Sequence, residues 1–141
     1  MSAYTTRALS EIEYKDVVNT IRAGYTSLDG AIHRPNEQVA TILILEANLG
    51  CRIGDIMKLK TDSIIDDGGI WKLNITEQKT GKKRSFIVPT PIKAFIDKWI
   101  ETNGIRNDYL FSIKSGAVWK ALRNVTEYLG LDDTSCHSFR K

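Results

Sequence analysis

The sequence has few cysteines and no apolar run as long as a membrane span. Its two cysteines, Cys51 and Cys136, form neither a CxxC metal pair nor a disulfide framework. Both are therefore expected to be reduced thiols that pack as small apolar side chains. The first residues also lack the apolar core of a signal peptide. These absences exclude a disulfide-rich secreted domain and predict a globular cytoplasmic protein.

The sequence also lacks a strong excess of either charge. A net charge of +3 in 141 residues is too small to indicate a nucleic-acid partner by itself. Basic residues are nevertheless concentrated in one segment that contains Lys79, Lys82, Lys83 and Arg84, whereas acidic residues dominate 62–67. This distribution predicts a local basic site, although charge runs are more often solvated surface.

The first third of the sequence has helical periodicity. Ser10 is followed three residues later by Glu13, a capping-box pattern that predicts an amphipathic helix ending near Gly24. Between Pro35 and Gly50 the apolar residues occupy all faces of a second predicted helix. This second helix is expected to lie in the core.

Helical periodicity returns in the last third of the sequence. Thr90 and Pro91 are typical of an N-cap and a first helical position, and an apolar stripe continues from them to Gly104. The segment "SGAVWKALRNVTEYL" has a similar stripe that ends at Gly130. A further helix is expected to begin at Thr134 or at the serine after it.

The middle of the sequence changes to a β-type pattern. Two β-rich runs flank the turn at 67–69, and a third run follows "KTG". A short helix is predicted in "RIGDIMKL" before these runs, and 25–34 is expected to be a loop because it lacks periodicity. The whole pattern predicts a mainly helical α+β domain with a small three-stranded antiparallel sheet.

Three segments contain side chains suited to phosphate chemistry. Arg52 lies in "GCRIGD", Lys79 in "EQKTGKKR", and His137 and Arg140 in "HSFR". Each residue alone has an ordinary structural interpretation, since arginines and turn lysines are mostly solvated surface residues. Their order, after a buried helix, within a hairpin and at a helix start, resembles that of the tyrosine recombinases, also called phage integrases.

The resemblance covers almost the whole sequence and implies an integrase-type catalytic domain. The family's GxRxxD-like pattern is matched by Arg52 with Asp55 three residues later, and its hairpin lysine is matched by Lys79. Its HxxR motif is matched by His137 and Arg140. These matches imply that Arg52, Lys79, His137 and Arg140 are catalytic and that Asp55 is a supporting carboxylate.

The chemistry of DNA cleavage explains these residue types. Guanidinium groups match the two non-bridging phosphate oxygens, so Arg52 and Arg140 are expected to clamp the scissile phosphate. By resemblance, Lys79 is the general acid that protonates the leaving 5′ oxygen. His137 is the acid/base residue that also contacts the phosphate, and Asp55 orients the arginine or its neighbour.

The resemblance also implies the reaction and its partners. The family cuts and rejoins double-stranded DNA through a 3′-phosphotyrosyl link, to integrate or excise a phage or mobile element, with no metal ion or nucleotide cofactor. Its members assemble as tetramers on DNA, so other protomers are expected partners. Lys82, Lys83 and Arg84 are expected to contact DNA phosphates.

One catalytic residue of the family has no match in the sequence. The nucleophilic tyrosine of the family follows the HxxR motif, whereas all five tyrosines here precede His137. They are Tyr4, Tyr14, Tyr25, Tyr109 and Tyr128. We therefore expect 1–141 to be one catalytic domain that is incomplete at its C-terminus, lacks the N-terminal core-binding domain, and does not cleave DNA alone.

Two other functions use similar sequence features. A non-enzymatic DNA-binding module, either an integrase remnant or a regulator with the same fold, would keep the basic segment without the chemistry. A type IB topoisomerase would use a similar set of residues, but that family has a lysine where His137 stands here. The tyrosine recombinase interpretation is therefore favoured.

Overall fold

The computed structural model describes residues 8–77, 79–106, 108–131 and 134. They form two compact units: the described residues up to Gly50 together with those from Lys114 onwards, and the residues Cys51–Ile113. The helices and strands follow in the order α1 (Glu11–Ala23), β1 (Tyr25–Thr26), β2 (Ile32–His33), α2 (Glu37–Leu49), α3 (Ile53–Ile56), β3 (Ile64–Asp67), β4 (Ile70–Thr76), β5 (Lys83–Ile87), α4 (Thr90–Asn103) and α5 (Ser115–Leu129).

The first unit is built on three helices, because α1 packs against both α2 and α5. The predicted capping box of α1 is confirmed: Ser10 Oγ accepts from the Glu13 backbone N–H, and the Glu13 carboxylate accepts from the Ser10 backbone N–H. Buried side chains occupy consecutive positions of α2, among them Ile42 and Leu43. The prediction of a core helix is therefore confirmed.

The loop predicted over 25–34 is wrong in part, because the segment contains a small antiparallel hairpin of β1 and β2. The rings of Tyr25 and His33 stack across it, with centroids 4.4 Å apart. In its turn, Ser27 Oγ donates to the Asp29 carboxylate. Strands of two residues are too short to show an alternating pattern, so this hairpin becomes visible only in the backbone pairing of the folded chain.

The second unit contains the predicted three-stranded antiparallel sheet, in the order β3-β4-β5. Gly68 and Gly69 form the two-residue turn between β3 and β4, and both have positive φ, the combination that a type I′ hairpin turn requires. Leu73 is fully buried on one face of the sheet. The turn between β4 and β5 carries Lys79, so the sheet positions that residue.

The predicted helices α4 and α5 agree with the structure to within about one residue, whereas the short helix predicted in "RIGDIMKL" is confined to Ile53–Ile56. The N-cap of α4 is Pro89 rather than Thr90, which makes Pro91 the second helical residue. Proline is tolerated there because the N–H groups of a first turn have no partner within the helix. The helix predicted after Thr134 lies outside the described residues, as does Cys136. Among the described residues, no helix is both long enough and apolar enough to cross a lipid bilayer.

Candidate active site

Arg52 lies immediately before α3 in extended backbone conformation. Its neighbour Cys51 is buried, as predicted, and Ile56 is fully buried, so the backbone on both sides of Arg52 is anchored in the fold. The Arg52 side chain is half-buried, and its Nη1 atom is buried without a hydrogen-bond partner among the described residues. A buried guanidinium N–H without a partner is typical of a group that binds an anion.

Asp55 lies one turn after Arg52 in α3 and is almost completely buried. Its backbone N–H donates to the Arg52 carbonyl oxygen over 3.0 Å. The first turn of α3 therefore fixes the spacing between these two residues. The supporting role of the Asp55 carboxylate stays a prediction.

Lys79 lies in the turn between β4 and β5, where its side chain is exposed. Two backbone hydrogen bonds of 2.8 Å close this turn, from the Glu77 N–H to the Lys82 oxygen and from the Gly81 N–H to the Glu77 oxygen. Gly81 has a φ of 71°, a conformation that favours glycine. The turn therefore holds Lys79 at the tip of the hairpin, as predicted from the sequence.

Glu77 is a buried carboxylate at the base of this turn. Its Oε1 accepts a hydrogen bond from Thr80 Oγ1 over 2.8 Å, and its Oε2 accepts one from Arg84 Nη1 over 2.9 Å. The hydrogen bond from Arg84, followed by that from Thr80, lowers the pKa of Glu77, and the charge of Arg52 lowers it further. The carboxylate is therefore ionised near neutral pH and links the turn to β5.

The three basic residues after Lys79 differ in their surroundings. The Arg84 guanidinium pairs with Glu77 and lies over the Phe86 ring, 4.5 Å from its centroid. Lys82 and Lys83 are exposed. The ammonium groups of Lys82 and Lys83 are therefore exposed to solvent, whereas the Arg84 guanidinium is paired with a carboxylate.

Sequence reasoning assigned no role to Glu77. The one sequence feature that could have pointed to Glu77 is its position as the acidic residue at the start of the basic segment "EQKTGKKR". A carboxylate among so many cations is often paired, but the choice of Arg84 and Thr80 as partners depends on the hairpin register.

The described part of the site lies in the second unit, which contains Arg52, Asp55 and the Lys79 turn. His137 and Arg140 lie outside the described residues. Within the described part of the chain, no group of three or more His, Cys, Asp or Glu side chains could hold a metal ion.

Stability should depend on pH through Glu77. Because its pKa is lower in the folded chain than in the unfolded one, its stabilising contribution is present above the ordinary carboxyl pKa and is lost as the pH falls through the folded value. Glu77→Gln is therefore expected to reduce the free energy of unfolding at neutral pH and to weaken its fall on acidification. Urea titrations between pH 7 and about pH 3 measure both effects.

Glu101→Gln is the matched control, because Glu101 is exposed on α4 in the same unit. It should leave the pH profile unchanged. The same profile in wild type and Glu77→Gln would contradict the prediction.

The sequence and the fold of the chain are both similar to those of known proteins. Residues 13–141 match the model of the phage integrase family. No curated protein sequence matches the chain.

Several solved structures have a similar fold. A lambda integrase dimer bound to a COC′ core site has a TM-score of 0.74 at 20% identity, over 99% of this chain and 40% of that one. XerH recombinase in its pre-cleavage complex with difH has a TM-score of 0.66 at 16% identity, over 99% of this chain and 42% of that one. The lambda integrase catalytic core has a TM-score of 0.68 at 21% identity, over 95% of this chain and 78% of that one.

The chain thus spans less than half the length of the first two proteins and about four fifths of the isolated catalytic core. At these identities the likeness establishes the fold. The predicted integrase-type architecture, mainly helical with a small antiparallel sheet, is confirmed.

Proposed function

The chain belongs to the phage integrase family, and on that premise we propose that it supplies the phosphate-binding part of a site-specific tyrosine recombinase. The observation that carries the proposal is the buried Arg52 Nη1 atom, which has no partner among the described residues and lies in the same compact unit as the Lys79 turn. An arginine in this state is suited to binding a phosphate oxygen.

In the proposed reaction, a tyrosine that follows the HxxR motif attacks a phosphorus atom of DNA. A bond forms between the phenolic oxygen and phosphorus, and the bond between phosphorus and the 5′ oxygen breaks. His137 takes the phenolic proton, and the Lys79 ammonium gives a proton to the 5′ oxygen, which leaves as a hydroxyl. Rejoining is the reverse, and the covalent link conserves the energy of the broken bond.

The other side chains stabilise the charge that develops on the phosphate. Arg52 and Arg140 donate to the non-bridging oxygens, and Asp55 orients Arg52. The exposed Lys82 and Lys83 contact the DNA backbone and make binding weaken as salt rises. Arg84 is the third proposed DNA contact, and its guanidinium is paired with Glu77 in this structure.

The complete reaction extends beyond residues 1–141 in this proposal. Because the chain spans less than half the length of the lambda integrase and XerH chains, we propose that residues 1–141 are a catalytic-domain fragment that presents a phosphate site and does not cleave by itself. Related structures include a lambda integrase tetramer on a Holliday junction. By analogy, other protomers on double-stranded DNA are the proposed partners, in the cytoplasm of a bacterial or phage-infected cell.

Covalent capture of DNA tests the proposal. The natural protein that carries this sequence is incubated with a pool of nicked duplexes of randomised sequence, and protein–DNA adducts are recovered after denaturation. Adducts joined at a 3′ phosphate are expected, because loss of the short fragment beyond the nick prevents rejoining.

The alternative functions give different results in this experiment. DNA binding without adducts would favour a non-enzymatic DNA-binding module, and relaxation of supercoiled DNA without sequence preference would favour a topoisomerase. If the protein neither binds DNA nor forms adducts, the proposal is overturned.

A further inference from the structure

We propose that Glu77 is a positioning residue for Lys79, in that its buried carboxylate fixes the turn that presents this general acid to the leaving 5′ oxygen. The proposal rests on the proposed function, because it takes the role of Lys79 from it. Glu77 itself lies at the base of the turn and is not required to touch DNA.

Glu77 precedes Lys79 in the turn, and its hydrogen-bond partners follow Lys79. Through its side chain Glu77 binds Thr80, directly after Lys79, and Arg84, on β5. Through its backbone it binds Gly81 and Lys82. One residue therefore makes four hydrogen bonds to the stretch that follows Lys79, and the Lys79 side chain stays exposed.

A carboxylate suits this position better than a neutral group. Arg84 lies partly buried over Phe86, and a partly buried guanidinium without an anion is unfavourable. Glu77 supplies that anion and also accepts from Thr80. Without the carboxylate, Arg84 and Thr80 lose their shared partner and the turn loses its side-chain support.

The charge balance of the turn also favours this role. A carboxylate near a phosphate site would repel DNA, but Arg84 compensates the charge of Glu77. Lys79 and Lys82 then remain as uncompensated exposed cations of the turn among the described residues. Glu77 can therefore order the turn without making it repel DNA.

The fold should persist without this arrangement, although its free energy of unfolding is expected to be smaller. The buried residues that anchor the sheet, such as Leu73 and Val88, lie away from the turn in β4 and after β5. Loss of Glu77 should therefore loosen the turn while the sheet stays folded. A misplacement of about 1 Å in a reacting group can lower a rate about 10²-fold, so a loose turn is enough to affect catalysis.

Two substrates distinguish a misplaced Lys79 from a general loss of catalytic activity. Nicked duplexes selected by covalent capture are prepared with either oxygen or sulfur at the 5′ bridging position of the scissile bond. A thiolate leaves without protonation because thiols have pKa values near 8.5, so the sulfur substrate needs no general acid.

Lys79→Ala is expected to cleave the oxygen substrate about 10²–10⁴-fold more slowly than wild type, and the sulfur substrate at nearly the wild-type rate. Glu77→Gln should show the same pattern with a loss of about 10–100-fold on oxygen. Glu77→Asp, which keeps the charge, should recover part of the loss. Glu101→Gln should match wild type on both substrates.

A second measurement shows whether the turn loosens as proposed. In the 141-residue chain, amide exchange of Gly81 is expected to accelerate in Glu77→Gln, while the amide of Leu73 stays protected. Loss of protection at both amides would show a general folding defect and contradict the proposal.

The experiment distinguishes failure of the proposed function from failure of the positioning role of Glu77. If wild type cleaves neither substrate, the proposed function is wrong. If wild type and Lys79→Ala behave as expected but Glu77→Gln is unaffected, or is slowed equally on both substrates, the function stands and Glu77 does not position Lys79.

Discussion

Arg52→Ala is expected to lower the rate of covalent DNA capture about a hundredfold to a thousandfold. The Arg52 Nη1 atom is buried and has no hydrogen-bond partner within the described part of the chain, so this donor is available to a phosphate oxygen. In the proposed transition state the non-bridging phosphate oxygens carry the developing negative charge. The measurement is the single-turnover rate of adduct formation by the natural protein on a selected nicked duplex.

The same substitution should not lower the stability of the fold. A buried charged donor without a partner destabilises a fold, so Arg52→Ala is expected to leave the free energy of unfolding unchanged or to raise it. Urea unfolding of the 141-residue chain measures this. A slow but stable variant would identify a loss of chemistry rather than a loss of structure.

Two variants serve as comparisons for Arg52→Ala. Arg52→Lys keeps the charge but loses the forked donors, so it should restore the rate only in part. Arg106→Ala removes an exposed arginine of the same unit and should leave the rate unchanged. If Arg52→Ala captures DNA at the wild-type rate, Arg52 is not part of the catalytic site.

Gly24→Ala is expected to be the most damaging small substitution in the first unit. Gly24 ends α1 with φ 81° and ψ 161°, a region that is almost restricted to glycine and costs other residues about 1–3 kcal/mol. A Cβ atom there would lie 2.8 Å from the His33 carbonyl oxygen and 2.8 Å from Pro35 Cδ. Such an overlap adds about 1–3 kcal/mol, so we expect a total loss on the order of 3 kcal/mol.

Gly30→Ala separates the two contributions to this loss. Gly30 has a similar φ of 85°, but an added Cβ would meet nothing within 4 Å. Only the backbone cost of about 1–2 kcal/mol should then appear. Urea unfolding of both variants tests the difference, and equal losses would show that His33 and Pro35 move aside easily.

Several parts of this protein were predictable from neighbouring residues in the sequence. The capping box that begins α1, the apolar composition of α2 and the Gly-Gly turn between β3 and β4 all act over a few residues. The order of the motifs was enough to indicate the family. The β-type runs on either side of Lys79 also indicate its place at a hairpin tip.

Tertiary structure decided the features that depend on the path of the folded backbone, even where the residues concerned lie within ten positions of one another. The sequence alone could not select Arg84 and Thr80 as the partners of Glu77, nor show that the Arg52 donors are buried, nor reveal the hairpin of β1 and β2. The physical reason is that capping and periodicity follow from residue types at fixed spacings in a regular helix or strand. The partner of a buried charge is instead set by which side chains the folded chain brings together, as the turn does for Glu77 and Arg84.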